Sequence, residues 1–88
     1  MLKCSLVIHN RLGLHARAAA KFVDLAKTFD SHITLSKNDQ GADGKKIMDI
    51  LLLAAPKGTK INLAVKGVDE RLAFKALSDL VSNGFGEE

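Results

Sequence analysis

The chain predicts an α+β fold, a four-stranded antiparallel sheet with three helices on one face. Two observations carry this. Apolar residues recur at every second position around Leu2 to Ile8, Ile33 to Leu35 and Ile61 to Val65, which is the period of a strand with one buried face. Between and after these segments, Ala16 to Ala26 and Ala73 to Leu80 repeat at three-to-four spacing, the period of an amphipathic helix. Half-buried strands interleaved with helices are accommodated by an antiparallel sheet covered on one side. With 88 residues, 47% of them apolar, there is material for one core, and a single domain over 1–88 is expected.

Taken in order, Leu2, Cys4, Leu6 and Ile8 alternate with Lys3, Ser5 and His9, and only Val7 places an apolar side chain outward. After Asn10 to Leu14, the positions Ala16, Ala19, Ala20, Phe22, Val23 and Ala26 share a face opposite Arg17, Lys21, Asp24 and Thr28, so a helix is expected over about 16–28. Ile33 and Leu35, framed by His32, Thr34 and Ser36, form a second strand. Asn38 to Gly44 is turn-rich and leaves room for a short third strand, giving a hairpin. Ile47 to Ala55 is apolar enough for a strand or a short helix. The spacing of Ile47, Ile50, Leu51 and Ala54, with Met48, Leu52 and Ala55 adjoining, favours a helix that Pro56 and Gly58 end. Ile61, Leu63 and Val65 alternating with Lys60, Asn62, Ala64 and Lys66 make a clear strand. Asp69 is placed to cap a last helix carrying Ala73, Ala76, Leu77 and Leu80, which Asn83 and Gly84 can terminate in a left-handed conformation.

Composition removes several function classes. The longest apolar run, Ile50 to Pro56, is too short to cross a bilayer, and the N-terminus alternates instead of forming a cleavable apolar block, so no membrane insertion and a cytoplasmic location are expected. Cys4 is a lone cysteine on an apolar strand face, where a buried, reduced thiol is the ordinary outcome. A net charge of +3 permits contact with acidic surfaces, but the basic residues are scattered. A sheet that binds RNA stacks bases on strand aromatics, whereas Phe22, Phe29, Phe74 and Phe85 fall on or after helices, so no specific nucleic acid is expected. Cys4, His9, His15 and His32 have none of the pair spacings of a metal site, and no metal is expected.

His9 and His32 occupy outward strand positions, where a solvated imidazole is the ordinary state. His15 stands just ahead of a helix. The first turn of a helix offers unpaired N–H groups, here those of Ala16 and Arg17, and the positive end of the macrodipole, which together stabilise an anion on a neighbouring side chain. The guanidinium of Arg17 suits phosphate oxygens. Gly13 permits the positive φ or close backbone approach that a tight loop requires. An imidazole is a competent nucleophile that can take a phosphoryl group and give it up again. The plainer alternative is a residue at a helix start beside a solvated charge.

The stretch N-R-L-G-L-H-A-R-A-A, Asn10 to Ala19, resembles the active-site segment of the HPr family, the histidine-containing phosphocarriers of the phosphoenolpyruvate-dependent phosphotransferase system. The resemblance extends to Ile47-Met48 opening the middle helix, the A-P-K-G-T-K-I turn into the fourth strand, and the spacing to the last helix. The ending S-N-G-F-G-E-E looks more like the nitrogen-related branch than the sugar-transport branch. The resemblance implies an open-faced β-sandwich of four antiparallel strands and three helices. It further implies a monomer without cofactor, a stoichiometric carrier and not an enzyme. His15 would accept phosphate at Nδ1 from enzyme I, which took it from phosphoenolpyruvate, and pass it to an enzyme IIA-type domain, with Arg17 assisting.

Two departures from the family pattern stand out. Proline is usual where this chain has Ala18, so the first turn loses a φ restraint and gains an N–H donor. Regulated members carry a kinase-targeted serine where this chain has Lys46. Ile47, Met48, Leu51 and Leu52 are the candidate docking patch, with Ile47 and Leu51 equally suited to the core and Met48, a flexible thioether, the best suited to contact several partners. The rival reading is a non-catalytic regulatory docking module of the same fold, against which the presence of His15 speaks.

Overall fold

In the computed structural model, which describes residues 1–87, the chain runs β1 (Leu2–Val7), α1 (Ala16–Ala26), β2 (His32–Lys37), β3 (Gln40–Asp43), α2 (Ile47–Leu52), β4 (Lys60–Lys66), α3 (Glu70–Ser82) and a 3-10 turn at Gly84–Gly86. The strands form one antiparallel sheet in the order β1-β4-β2-β3. β4 occupies an inner position because its alternation is the cleanest in the chain: Ile61, Leu63 and Val65 are fully buried on one face, while Lys60, Asn62 and Lys66 are exposed on the other. On the open face Ser5 donates from its hydroxyl to Asn62 Oδ1 at 2.8 Å. On the covered face the strands share one apolar cluster with Phe22, Val23, Ile50, Leu53, Ala73, Leu77 and Val81 from the helices. This is the expected α+β open-faced sandwich.

Several local expectations change. α1 ends at Ala26 and not near residue 28, because the Thr28 N–H and hydroxyl both turn back onto the Leu25 carbonyl and tighten the last turn. On α1, Ala16 is exposed and Ala18 is fully buried, so the inward face is rotated relative to the expected one. Cys4 is half-buried, not buried, with burial pushing its thiol pKa up.

The largest change concerns α2. It spans only Ile47–Leu52, and the N–H groups of Leu53 and Ala54 bond three residues back to the carbonyls of Ile50 and Leu51. That tighter winding turns Leu53 into the core with Ile50, while Ala54 takes a left-handed φ of 50° and is exposed. The expected inward set of Ile47, Ile50, Leu51 and Ala54 therefore reduces to Ile50, with Leu51 half-buried against the core. Ile47, Met48 and Leu52 face solvent at 38%, 62% and 65% exposure.

Asp69 sits at the start of α3, as expected, yet its side chain makes no capping bond. It accepts instead from the backbone N–H groups of Asp30 and Ser31 and from the Ser31 hydroxyl. The Ser31 hydroxyl, followed by the Asp30 N–H, holds its carboxyl below the usual carboxylate range. The α3 core stripe is Ala73, Leu77 and Val81, with Ala76 and Leu80 half-buried beside it.

Candidate functional site

The loop between β1 and α1 is anchored at both ends before it reaches His15. Ile8 exchanges backbone bonds with Thr59 and Gly58, and the Leu14 N–H donates to the Ala55 carbonyl at 2.8 Å. Gly13 has φ 69°, and a Cβ there would stand 2.7 Å from the Ala55 carbonyl oxygen and 2.8 Å from Pro56 Cα. Glycine is thus required twice over, by conformation and by space. The loop closes on itself through the Gly13 N–H, which donates to the Asn10 carbonyl at 3.0 Å.

His15 is the N-cap of α1. Its backbone is extended, its carbonyl accepts the first helical bond from the Ala19 N–H at 2.8 Å, and its Nδ1 accepts from the Arg17 N–H at 3.3 Å. The imidazole has taken the role that serine or aspartate usually plays at this position. Its other nitrogen, Nε2, lies 2.7 Å from Glu87 Oε1. An Nδ1 that accepts and an Nε2 that faces a carboxylate assign the ring proton to Nε2 and leave the Nδ1 lone pair over the helix N-terminus.

Asn10, 1% exposed, organises the back of the site. Its Nδ2 donates to the Gly13 carbonyl at 2.6 Å and to Glu87 Oε1 at 2.8 Å. That orientation leaves Asn10 Oδ1 buried without a partner, a state that costs about 1–3 kcal/mol for a buried polar group. The amide is thus oriented for the carboxylate and the loop. The bonds from His15 and then Asn10 hold the Glu87 carboxyl below its ordinary pKa.

Arg17 is exposed, and its guanidinium pairs with no side chain among the described residues. The Ala18 N–H likewise has no acceptor there, and no acidic side chain lies in the first turn of α1. Next to His15, Leu12, Leu14, Ala54, Ala55 and Pro56 line a shallow apolar hollow, which places the C-terminal end of α2 against the His15 loop. Leu12 itself is 60% exposed. The structure thus brings together His15, the first-turn N–H groups of Ala16 and Arg17, and the end of α2. Of the four docking candidates it leaves Ile47, Met48 and Leu52 exposed and draws Leu51 partly into the core. Lys46 is the exposed N-cap of α2, with no side-chain capping bond.

The family model described as PTS HPr component phosphorylation site matches residues 2–83. The chain belongs to the HPr family of phosphocarriers. It is 51% identical over 87 residues to the phosphocarrier protein HPr of Neisseria meningitidis serogroup A, covering 99% of this chain and 98% of that protein. To the HPr of Xylella fastidiosa it is 46% identical over 88 residues, covering 100% and 99%. A crystal structure of HPr from Thermoanaerobacter tengcongensis superimposes with a TM-score of 0.95 at 42% identity, covering 100% of this chain and 99% of that one. Asn10, His15 and Arg17 lie within the span matched to the HPr family, and Glu87 lies beyond it.

Sequence reasoning included Asn10 in the active-site stretch without giving it a role, and it missed Glu87 as a site residue. The two are 77 positions apart, so no local periodicity links them. The only sequence signal was a carboxylate set among glycines in the final G-F-G-E-E. Among the described residues no helix is long and apolar enough to cross a membrane.

Proposed function

We propose that His15 is the residue that carries the phosphoryl group, at Nδ1, within a single phosphocarrier domain over 1–88. The observation that supports this best is the place of Nδ1 at the N-cap of α1, with its lone pair directed at the first helical turn. When that lone pair attacks phosphorus, the Arg17 N–H no longer has a nitrogen to bond and is free to donate to a phosphate oxygen. The N–H of Ala16 is beside it, and the Arg17 guanidinium is unpaired among the described residues. Charge on the phosphoryl oxygens then meets preorganised donors and the positive end of the helix, the means by which phosphoryl transfer is commonly assisted. The carrier is consumed and regenerated stoichiometrically, so it is not an enzyme in its own right.

Enzyme I is the donor and an enzyme IIA-type domain the acceptor in this reading, and the monomeric, cytoplasmic chain meets both through the exposed Ile47, Met48 and Leu52 with the hollow beside His15. Leu51 contributes from its half-buried position. Lys46 gives the rim of this patch a fixed positive charge where regulated relatives have serine, so the carrier is uncoupled from serine-kinase control. The deciding experiment is intact mass after incubation with enzyme I and phosphoenolpyruvate. One acid-labile, base-stable phosphate is expected on the parent, and none on a folded His15→Ala variant. A variant that still takes label removes His15 from the role.

A further inference from the structure

We infer that Glu87 is a positioning residue for phosphoryl transfer, keeping the proton on His15 Nε2 through both loading and discharge. The inference rests on His15 Nδ1 as the acceptor and adds a requirement to that chemistry. When Nδ1 attacks, its lone pair forms the N–P bond while the bond from phosphorus to the donor breaks and its electron pair stays with the donor. No proton moves, and the ring, still bearing Nε2–H, gains one positive charge. When the carrier is discharged, the N–P pair returns to Nδ1 and the ring departs as neutral imidazole. Had Nε2 lost its proton in between, the leaving group would be an imidazolate anion, far poorer at neutral pH. A carboxylate on Nε2 opposes that loss, as the buried aspartate of a serine-protease triad does for its histidine.

Three observations point to a built contact and not a chance approach of a surface acid. Nε2 and Oε1 are 2.7 Å apart, with the His15 and Glu87 side chains only 25% and 18% exposed. Asn10 orients the same carboxylate oxygen from behind at the expense of its own Oδ1. The backbone that delivers Glu87 is also unusual: Gly84, Phe85 and Gly86 have φ of 64°, 58° and 73° in succession. Phenylalanine rarely adopts such a φ, and here it does so with its ring 1% exposed. Strain held in place by burial is characteristic of segments that aim a functional group. The Lys21 ammonium fixes this strap by donating to the Phe85 carbonyl at 2.8 Å.

Among the described residues, the charged groups beside the ring are Glu87 from the C-terminal strap and Arg17 and Lys21 from α1. Of these three, Glu87 favours positive charge on the imidazole, and both cations oppose it. The test compares the parent with Glu87→Gln, which keeps an oxygen for Nε2–H and for Asn10 but removes the charge. Phosphoryl discharge, as hydrolysis or as transfer to acceptor, is followed against pH. The fall in rate at high pH is expected to begin at lower pH in the variant, with an unchanged melting temperature. On the unphosphorylated protein, the Nε2 proton of His15 should be slow to exchange in the parent and unprotected in Glu87→Ala. Superimposable pH profiles, or an Nε2 proton equally protected without the carboxylate, overturn the assignment. Label surviving His15→Ala would overturn the choice of acceptor instead, a separable result because the Nε2 proton is read on the unloaded ring.

Discussion

The starts of α1 and α3 present the same backbone groups to opposite ends. At α3, Glu70 accepts the Gly67 N–H at 3.0 Å and pairs with the N-terminal ammonium at 3.3 Å, while Asp69 ties the helix to the loop before β2. Every acid there is engaged in holding the fold together. At α1 the cap is an imidazole, the next residues are Ala16, Arg17 and Ala18, and the first turn holds no acid. The start of α3 carries its own acidic side chains, whereas the first turn of α1 carries none and leaves the positive end of the helix uncompensated there. The contrast between the two starts that bears on function is thus one of charge and not of capping bonds.

The comparison can be broken most forcefully at Arg17. Replacing it with Ala should leave the melting temperature unchanged and slow phosphoryl transfer by about ten- to a hundredfold, the value of one or two charge-assisted contacts. Single-turnover transfer from phosphorylated enzyme I measures this, and unchanged kinetics would make Arg17 a plain surface charge.

Asp69→Ala should do the reverse. It strips partners from the buried Ser31 hydroxyl and N–H, lowering the melting temperature by about 5–10 °C with transfer unaffected. The sign with pH follows from the lowered carboxyl. A folded-state value below the unfolded one gives stability that is fully present above the unfolded pKa and lost as pH falls through the folded one. The gap between parent and variant in thermal denaturation should therefore close in acid.

Ala16→Glu would convert the first start into the second kind. An acid in the first turn stabilises a helix by about 0.3–1 kcal/mol, yet here it competes with phosphate for the same N–H groups. A slightly higher melting temperature with about tenfold slower transfer is expected, and faster transfer would contradict the reading of this turn as an anion site. The smallest effect belongs to Ala18→Pro, which restores the family's usual residue and removes one N–H. Stability should rise by about 0.4–1 kcal/mol through the unfolded chain, and transfer should slow by about threefold. Denaturant midpoints and the same single-turnover assay decide both.

Much of this was legible in advance because the governing signals are local. Alternation in β1, β2 and β4 reports burial directly, and His15 announces itself through a glycine, a helix start and an arginine within five positions. The inward face of α2 was not legible, since a helix of six residues offers less than two turns of periodicity, and its 3-10 finish rotates Leu53 into the core. The capping residue of α3 was placed correctly and its bonding was not, because Asp69 satisfies a loop that lies 38 or 39 positions away. Glu87 belongs with these: its partners are fixed by how the chain closes, which no stretch of sequence around it encodes.

The absence of space for even one methyl group between Gly13 and the Ala55–Pro56 backbone has a kinetic meaning. The histidine loop and the end of α2 are packed and hydrogen-bonded against one another, so on the proposed function a partner settling on the apolar rim would find His15 Nδ1 already aligned. Recognition and alignment become a single event, with no slow rearrangement after encounter. A complex that needs no time to mature needs no tight grip either, and brief contacts with fast dissociation suffice. For a molecule that must leave each partner as readily as it arrives, rigidity at that one glycine is a condition of rapid traffic.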